Sequence, residues 1–227
     1  MTSTLPQDPT LDEIRGALAP LLAGHAAFDG WTEKAIDAAA NETGVDADIA
    51  RLAFKASYSS KKLAMDMIDA WIASVDIEME RHLPAEKLTE MKIRERITAL
   101  IEARLDIAAA DKEGQRRAIA IVAMPQNLPR AARIGWRSAD VMWRLAGDTA
   151  TDFNHYTKRM TLSAVYSSTL AVFLNDESED YADTREFLAR RIDNVMQFEK
   201  VKAQAKGRRE NLPSLSRFIG RLRYPAR

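Results

Sequence analysis

Residues 30–45 read GWTEKAIDAAANETGV, and their pattern sets the architecture of the first third of the chain. Thr32 stands where a helix N-cap belongs, residues 33–43 are helix-compatible, and Gly44 offers the left-handed conformation that closes a helix. Working outward, residues 46–55 predict a short third helix on one side. On the other side a helix starts at Thr10 or Asp12 and carries Leu11, Ile14, Leu18, Leu21 and Leu22, with Pro20 as a kink and Gly30 and Trp31 ending it. Residues 61–83 make a long fourth helix, with Leu63, Met67, Ile68, Trp71, Ile72, Val75 and Met79 at helical spacing.

The remainder reads the same way, and the whole chain is all-α. Residues 87–109, KLTEMKIRERITALIEARLDIAA, predict one long amphipathic helix, and Gly114 separates it from a helix over 115–124. MPQNLPR is the clearest break. In WRSADVMWRLAGDTATDFN, residues 136–154, one helix face holds Trp136, Ala139, Trp143 and Ala146 and another holds Arg137, Asp140 and Arg144. Gly147 closes that helix and Thr151 caps the next. In residues 153–174, Phe153, Tyr156, Met160, Ala164, Val165, Leu170, Phe173 and Leu174 lie around most of the circumference, which predicts burial on several sides. Residues 183–203 place Phe187, Leu188, Arg191, Ile192, Val195, Met196 and Phe198 largely on one stripe. These last three helices could enclose an apolar cavity, although such stripes at helical spacing also read as plain core.

Composition excludes several classes. With 46% hydrophobic and 29% charged residues and a formal net charge of +0, the 227 residues are ordinary for a globular chain. The absence of cysteine removes disulfides and thiolate chemistry. Histidine occurs only at His25, His82 and His155, in neither the zinc nor the di-iron helical spacing, and glycine-rich phosphate loops and nucleophile elbows are missing. We therefore expect a non-enzyme without catalytic residues, metal or cofactor. No segment reaches the length of a spanning helix. The start, MTSTLPQDPTLDEI, has neither a secretory nor an arginine-rich targeting pattern, which predicts a bacterial cytoplasmic protein, a processed organelle form being the open alternative.

The far end differs in charge. Residues 199–227 hold nine lysines and arginines against Glu199 and Glu210, about +7 in a neutral chain. Within them Leu215, Phe218, Ile219 and Leu222 follow at helical spacing, with Arg217, Arg221 and Arg223 beside them. That is the form of a helix lying reversibly in a membrane interface; a helix docked on the protein is the alternative.

Two resemblances give these patterns a context. The three short helices with GWTEKAIDAAANETGV at their centre resemble the helix-turn-helix head of the tetracycline-repressor superfamily. The helix that would meet DNA, DADIARLAFK, presents Asp46 and Asp48 at its start and only Arg51 and Lys55 as cations, which opposes phosphate binding. The head is therefore expected to be a degenerate one.

The second resemblance covers roughly residues 10–205 and is most specific over 134–200. WRSADVMW, AGDTATDFN, HYTKR, YSSTLAVFLND and ESEDYADTREFLARRIDNVMQFEK closely resemble the ubiquinone-biosynthesis accessory proteins. That family implies a repressor-like helical fold, an isoprenoid quinone precursor or phospholipid in a cavity, a C-terminal amphipathic membrane helix, and a surface that docks a partner hydroxylase. On this chain the lipid would meet Trp136, Ala139, Met142, Trp143, Met160, Ala164, Phe173, Phe187, Ile192, Val195 and Met196. The docking patch would be Asp152, Phe153, Asn154, His155, Tyr156, Lys158 and Arg159; His155 departs from the tryptophan the family often has there, which makes the patch less apolar. Three regions follow: 1–85 as head and linking helix, 86–206 as the lipid-binding domain, and 207–227 as the basic tail. A location on the bacterial inner membrane and a homodimer, by analogy with repressor-like folds, complete the expectation; the rival is a ligand-responsive transcriptional regulator.

Overall fold

A computed structural model describes residues 5–54, 60–151 and 153–210, and it contains no strand among the described residues. The chain divides into two compact units, Met1–Leu188 and Ala189–Arg227.

In the first unit, α1 (Leu11–Leu18) opens with a reciprocal cap: Glu13 N donates to Thr10 Oγ1 at 3.3 Å while Thr10 N donates to Glu13 Oε2 at 2.8 Å. Pro20 turns the chain through a single 3-10 turn into α2 (Leu22–Asp29). Thr32 holds the cap position of α3 (Glu33–Thr43), although its hydroxyl donates back to Asp29 O. Gly44, at φ +73°, closes α3 as its position in the sequence predicts. Asp46 accepts from the amides of Asp48 and Ile49 at the start of α4 (Ala47–Phe54). The core of this head is rich in alanine: Ala23, Ala26, Ala35, Ala39, Ala40 and Ala50 are fully buried with Leu18, Leu22, Ile36 and Phe54.

The long helix α5 (Ser60–His82) carries Met67, Ile68, Trp71 and Met79 into the interior. Beyond it the expected single helix over 87–109 is split into α6 (Ala85–Thr89) and α7 (Ile93–Ala108). Two side chains stabilise the break by satisfying its backbone. Glu95 accepts from Lys92 N at 2.8 Å, and Arg96 donates to Thr89 O and Met91 O.

Gly114 also corrects its expectation. It lies inside α8 (Lys112–Val122) rather than before it, because its lack of a side chain lets α8 close on α2. A Cβ there would stand 2.0 Å from Ala23 O, and the Gly114 carbonyl accepts from the buried Trp31 indole at 3.0 Å. Gly114→Ala is therefore expected to destabilise the fold by about 1–3 kcal/mol, measured as a lowered urea midpoint.

After a 3-10 turn at Pro125–Asn127, α9 (Leu128–Leu145) starts eight residues before Trp136, with Pro129 in its first turn. It ends as expected at Gly147, φ +87°, where Arg96 also donates to Ala146 O at 2.8 Å. The next helix, α10 (Phe153–Phe173), begins two residues after Thr151, so Thr151 is not its cap. Burial on α10 is one-sided, against the expectation of several buried sides. Arg159, Leu162, Val165, Thr169 and Phe173 face inward, while Phe153, Tyr156, Met160 and Ala164 face out. The chain then turns into α11 (Ala182–Glu210). The tail residues Leu215, Arg217, Phe218, Ile219, Arg221, Leu222 and Arg223, and Asp152, lie outside the described residues.

Asp176 organises the turn into α11. Its oxygens accept from the amides and hydroxyls of both Ser178 and Thr184, at 2.5–2.8 Å. Burial pushes this carboxyl up, but the four hydrogen bonds outweigh it and hold it well below the usual carboxylate range. A carboxyl lowered by folding contributes stability above its unfolded pKa of about 3.9, lost as pH falls through the folded value. Wild-type protein should lose stability in acid more steeply than Asp176→Asn, whose loss of about 1.5–3 kcal/mol should already be present at pH 7. Parallel urea titrations from neutral pH into acid check both.

Candidate functional site

The α9–α10 joint is built around an internal ion network. Asp148 accepts from Lys158 Nζ at 2.6 Å and from Arg159 Nη1 at 3.1 Å, and Arg159 Nε donates to Asp140 at 2.6 Å. Burial raises the Asp148 carboxyl; the Lys158 and Arg159 hydrogen bonds overcome this and leave it below its ordinary value. Lys158 also caps the Trp143 ring at 5.2 Å, and the Trp143 indole donates to Lys158 O at 3.0 Å. The AGDTATDFNHYTKR pattern thus has an architectural role. Lys158 and Arg159 anchor the joint, and Arg159, 2% exposed, cannot reach a surface partner.

On this base sits an exposed apolar face. Phe153 is 75%, Tyr156 56% and Met160 65% exposed, at successive turns of α10. Trp136, half-buried on α9, stands 5.8 Å from the Tyr156 ring and 6.2 Å from that of His155. His155 packs edge-on against Tyr156 at 5.2 Å, with Nδ1 3.0 Å from Ala150 O. Asn154 is exposed beside them. Large apolar side chains gathered on one exposed face mark interaction surfaces more often than chance exposure does.

The residues expected to line a lipid cavity divide among several settings. Ala139 and Met142 are buried in the α9 packing, and Trp143 is half-buried over Lys158. Met160 and Ala164 face outward. Phe173 is buried against Tyr181, with the Lys112 ammonium over both rings, and borders a cavity of only about 10 Å³, room for one water. Phe187 is half-buried on the first turns of α11. In the second unit Ile192 is buried, Val195 half-buried and Met196 exposed. Sequence periodicity missed the Asp140–Asp148–Arg159 network, for which only the i, i+4 spacing of Asp140 and Arg144 gave a hint.

Helices α1 to α10, with an acidic-capped α4 closing the head formed by α1 to α4, define a repressor-like all-helical bundle. A solved TetR transcriptional regulator from Nitrosomonas europaea matches it with a TM-score of 0.60, covering 84% of this chain and 99% of that one at 24% identity, which speaks for the fold. Residues 128–199, from α9 into α11, match the COQ9 family. The human ubiquinone biosynthesis protein COQ9, mitochondrial, is 30% identical over 81% of this chain and 58% of its own length. A Drosophila melanogaster counterpart is 26% identical over 90% of this chain and 63% of itself, and a Xenopus laevis COQ9-B is 36% identical over 42% and 33%. The chain spans less than two thirds of the length of these relatives. Relatives from human, rat, cow and fly are all named as mitochondrial, which overturns the expectation of a bacterial cytoplasmic location.

Proposed function

We propose that the chain is a non-catalytic accessory protein of ubiquinone biosynthesis, which docks a partner hydroxylase through the exposed face of α10 and presents an isoprenoid quinone precursor to it. The observation that carries this reading is the Phe153–Tyr156–Met160 face. It lies inside the segment that matches the COQ9 family, and the packing of the described residues leaves it uncovered. The relatives' names connect them to ubiquinone biosynthesis. In the same reading the basic amphipathic tail, residues 207–227, supplies reversible attachment to a membrane surface. A homodimer belongs to the same reading, by analogy with the fold. The test of lipid holding is to denature purified protein and identify what it releases by mass spectrometry. Stoichiometric isoprenoid quinone or phospholipid is expected, and an empty protein contradicts that part of the proposal.

The fold also raises the regulator reading, and α4 opposes it. Arg51, the cation within Ala47–Phe54, is bound to Asp37 through two contacts of 2.7 Å and to Asp48 at 3.1 Å, while Ile49 and Leu52 are exposed where base-reading groups would stand. Duplex DNA titrated at low salt should produce no saturable anisotropy change; saturable, salt-dependent binding would restore the regulator reading.

A further inference from the structure

Away from the α10 face, α5 and α9 enclose an open groove of about 570 Å³, a size suited to a small ligand. Arg130, Arg133 and Arg137 follow at i, i+3 and i+7 along one side of α9, and Asp66 and Asp69 stand opposite on α5. The two aspartates are already engaged. Arg130 Nη2 reaches Asp66 at 2.5 Å and Asp69 at 3.2 Å, and Arg137 Nη1 reaches Asp69 at 2.5 Å while its Nη2 donates to Asp69 O at 3.2 Å. The Asp66 carbonyl is held in turn by Arg15 at 3.1 Å. These contacts fix two guanidinium groups as rigid donors rather than neutralising the groove, which keeps three cations against two anions.

One accessible donor is left over. Arg133 is exposed and makes no ion pair or hydrogen bond among the described residues, whereas Arg137 Nε is buried 3.8 Å from Asp76 and only the outer nitrogens of Arg137 belong to the groove. Pro129 and Ile134 add an apolar wall beside them. The geometry points to a binding site for a phosphate group carrying an organic body: guanidinium forks match phosphate oxygens, and the Pro129–Ile134 wall receives the carbon skeleton. The phosphate could be that of a free phosphorylated metabolite or of a phospholipid headgroup. This inference is independent of the docking proposal and stands or falls separately.

The test titrates the full chain with inorganic phosphate by calorimetry, chloride serving as the control at equal ionic strength. In parallel, co-sedimentation is measured with phosphatidylcholine vesicles with and without phosphatidylglycerol. Both are repeated with Arg133→Ala and Arg133→Lys; because Arg133 holds nothing in place, neither variant should disturb folding. Saturable binding to either probe that Arg133→Ala weakens about tenfold, the worth of one hydrogen bond to a charged group, and that Arg133→Lys partly restores, supports the site. Which probe responds identifies the source of the phosphate. Failure of both probes to saturate, equal binding of chloride, or binding that Arg133→Ala leaves unchanged overturns it.

Discussion

Arg104→Met is expected to lower the unfolding free energy by about 3–5 kcal/mol, the largest single loss in the first unit. Arg104 and Asp76 form an ion pair between α7 and α5 with side chains only 3% and 8% exposed. The guanidinium also lies 5.0 Å from the Tyr166 ring. Removing it leaves a buried carboxylate with the Ser138 hydroxyl at 3.3 Å and Arg137 Nε at 3.8 Å, too little to replace a charged partner. The double variant Arg104→Met with Asp76→Leu removes the stranded charge as well, and should recover much of the loss. Urea titration of both variants checks this. A single-variant loss under about 1 kcal/mol would mean that Arg137 takes over the carboxylate, and that the pair does not hold α5 to α7.

Much of this fold was legible because its signals are local. The helix start at Thr10, the Pro20 turn, and the glycine stops at Gly44 and Gly147 each depend on residues within a turn of one another. What was not legible depends on partners distant in sequence. The break at residues 90–92 is held by Glu95 and Arg96, which read as ordinary helix formers until Arg96 is seen reaching Thr89, Met91 and Ala146. Gly114 looked like punctuation because glycine breaks helices and also admits close neighbours, and only the approach of Ala23 decides which. The site shows the same division. Phe153, Tyr156 and Met160 were recognisable as apolar positions on a helix, but periodicity cannot say whether an aromatic residue points into a core or out to a partner. Met160 and Ala164 were expected in a cavity and lie on the outer face; Arg159 was expected at a docking surface and is among the most buried side chains. The arginine groove needed α5 and α9 to be neighbours before three spaced arginines meant anything.

The second large effect concerns docking rather than folding. Phe153→Ala combined with Tyr156→Ala removes two aromatic side chains that are mostly in solvent, so stability should change by about 1 kcal/mol or less, chiefly from the lost Trp136–Tyr156 contact. If these rings are anchors of an interface, each contributes on the order of 2 kcal/mol, and affinity should fall at least about 100-fold. Phe28, exposed at the end of α2, provides a control: Phe28→Ala removes a ring of equal size far from the α10 segment in sequence and should leave affinity unchanged.

The most direct measurement is therefore a calorimetric titration of the partner hydroxylase into the full chain, run with wild type, Phe28→Ala and the Phe153→Ala/Tyr156→Ala variant. The account predicts saturable binding to the first two and a loss of at least about 100-fold in the third with the helical circular dichroism unchanged. A hydroxylase that fails to bind the wild type, or that binds the double variant equally well, would contradict it.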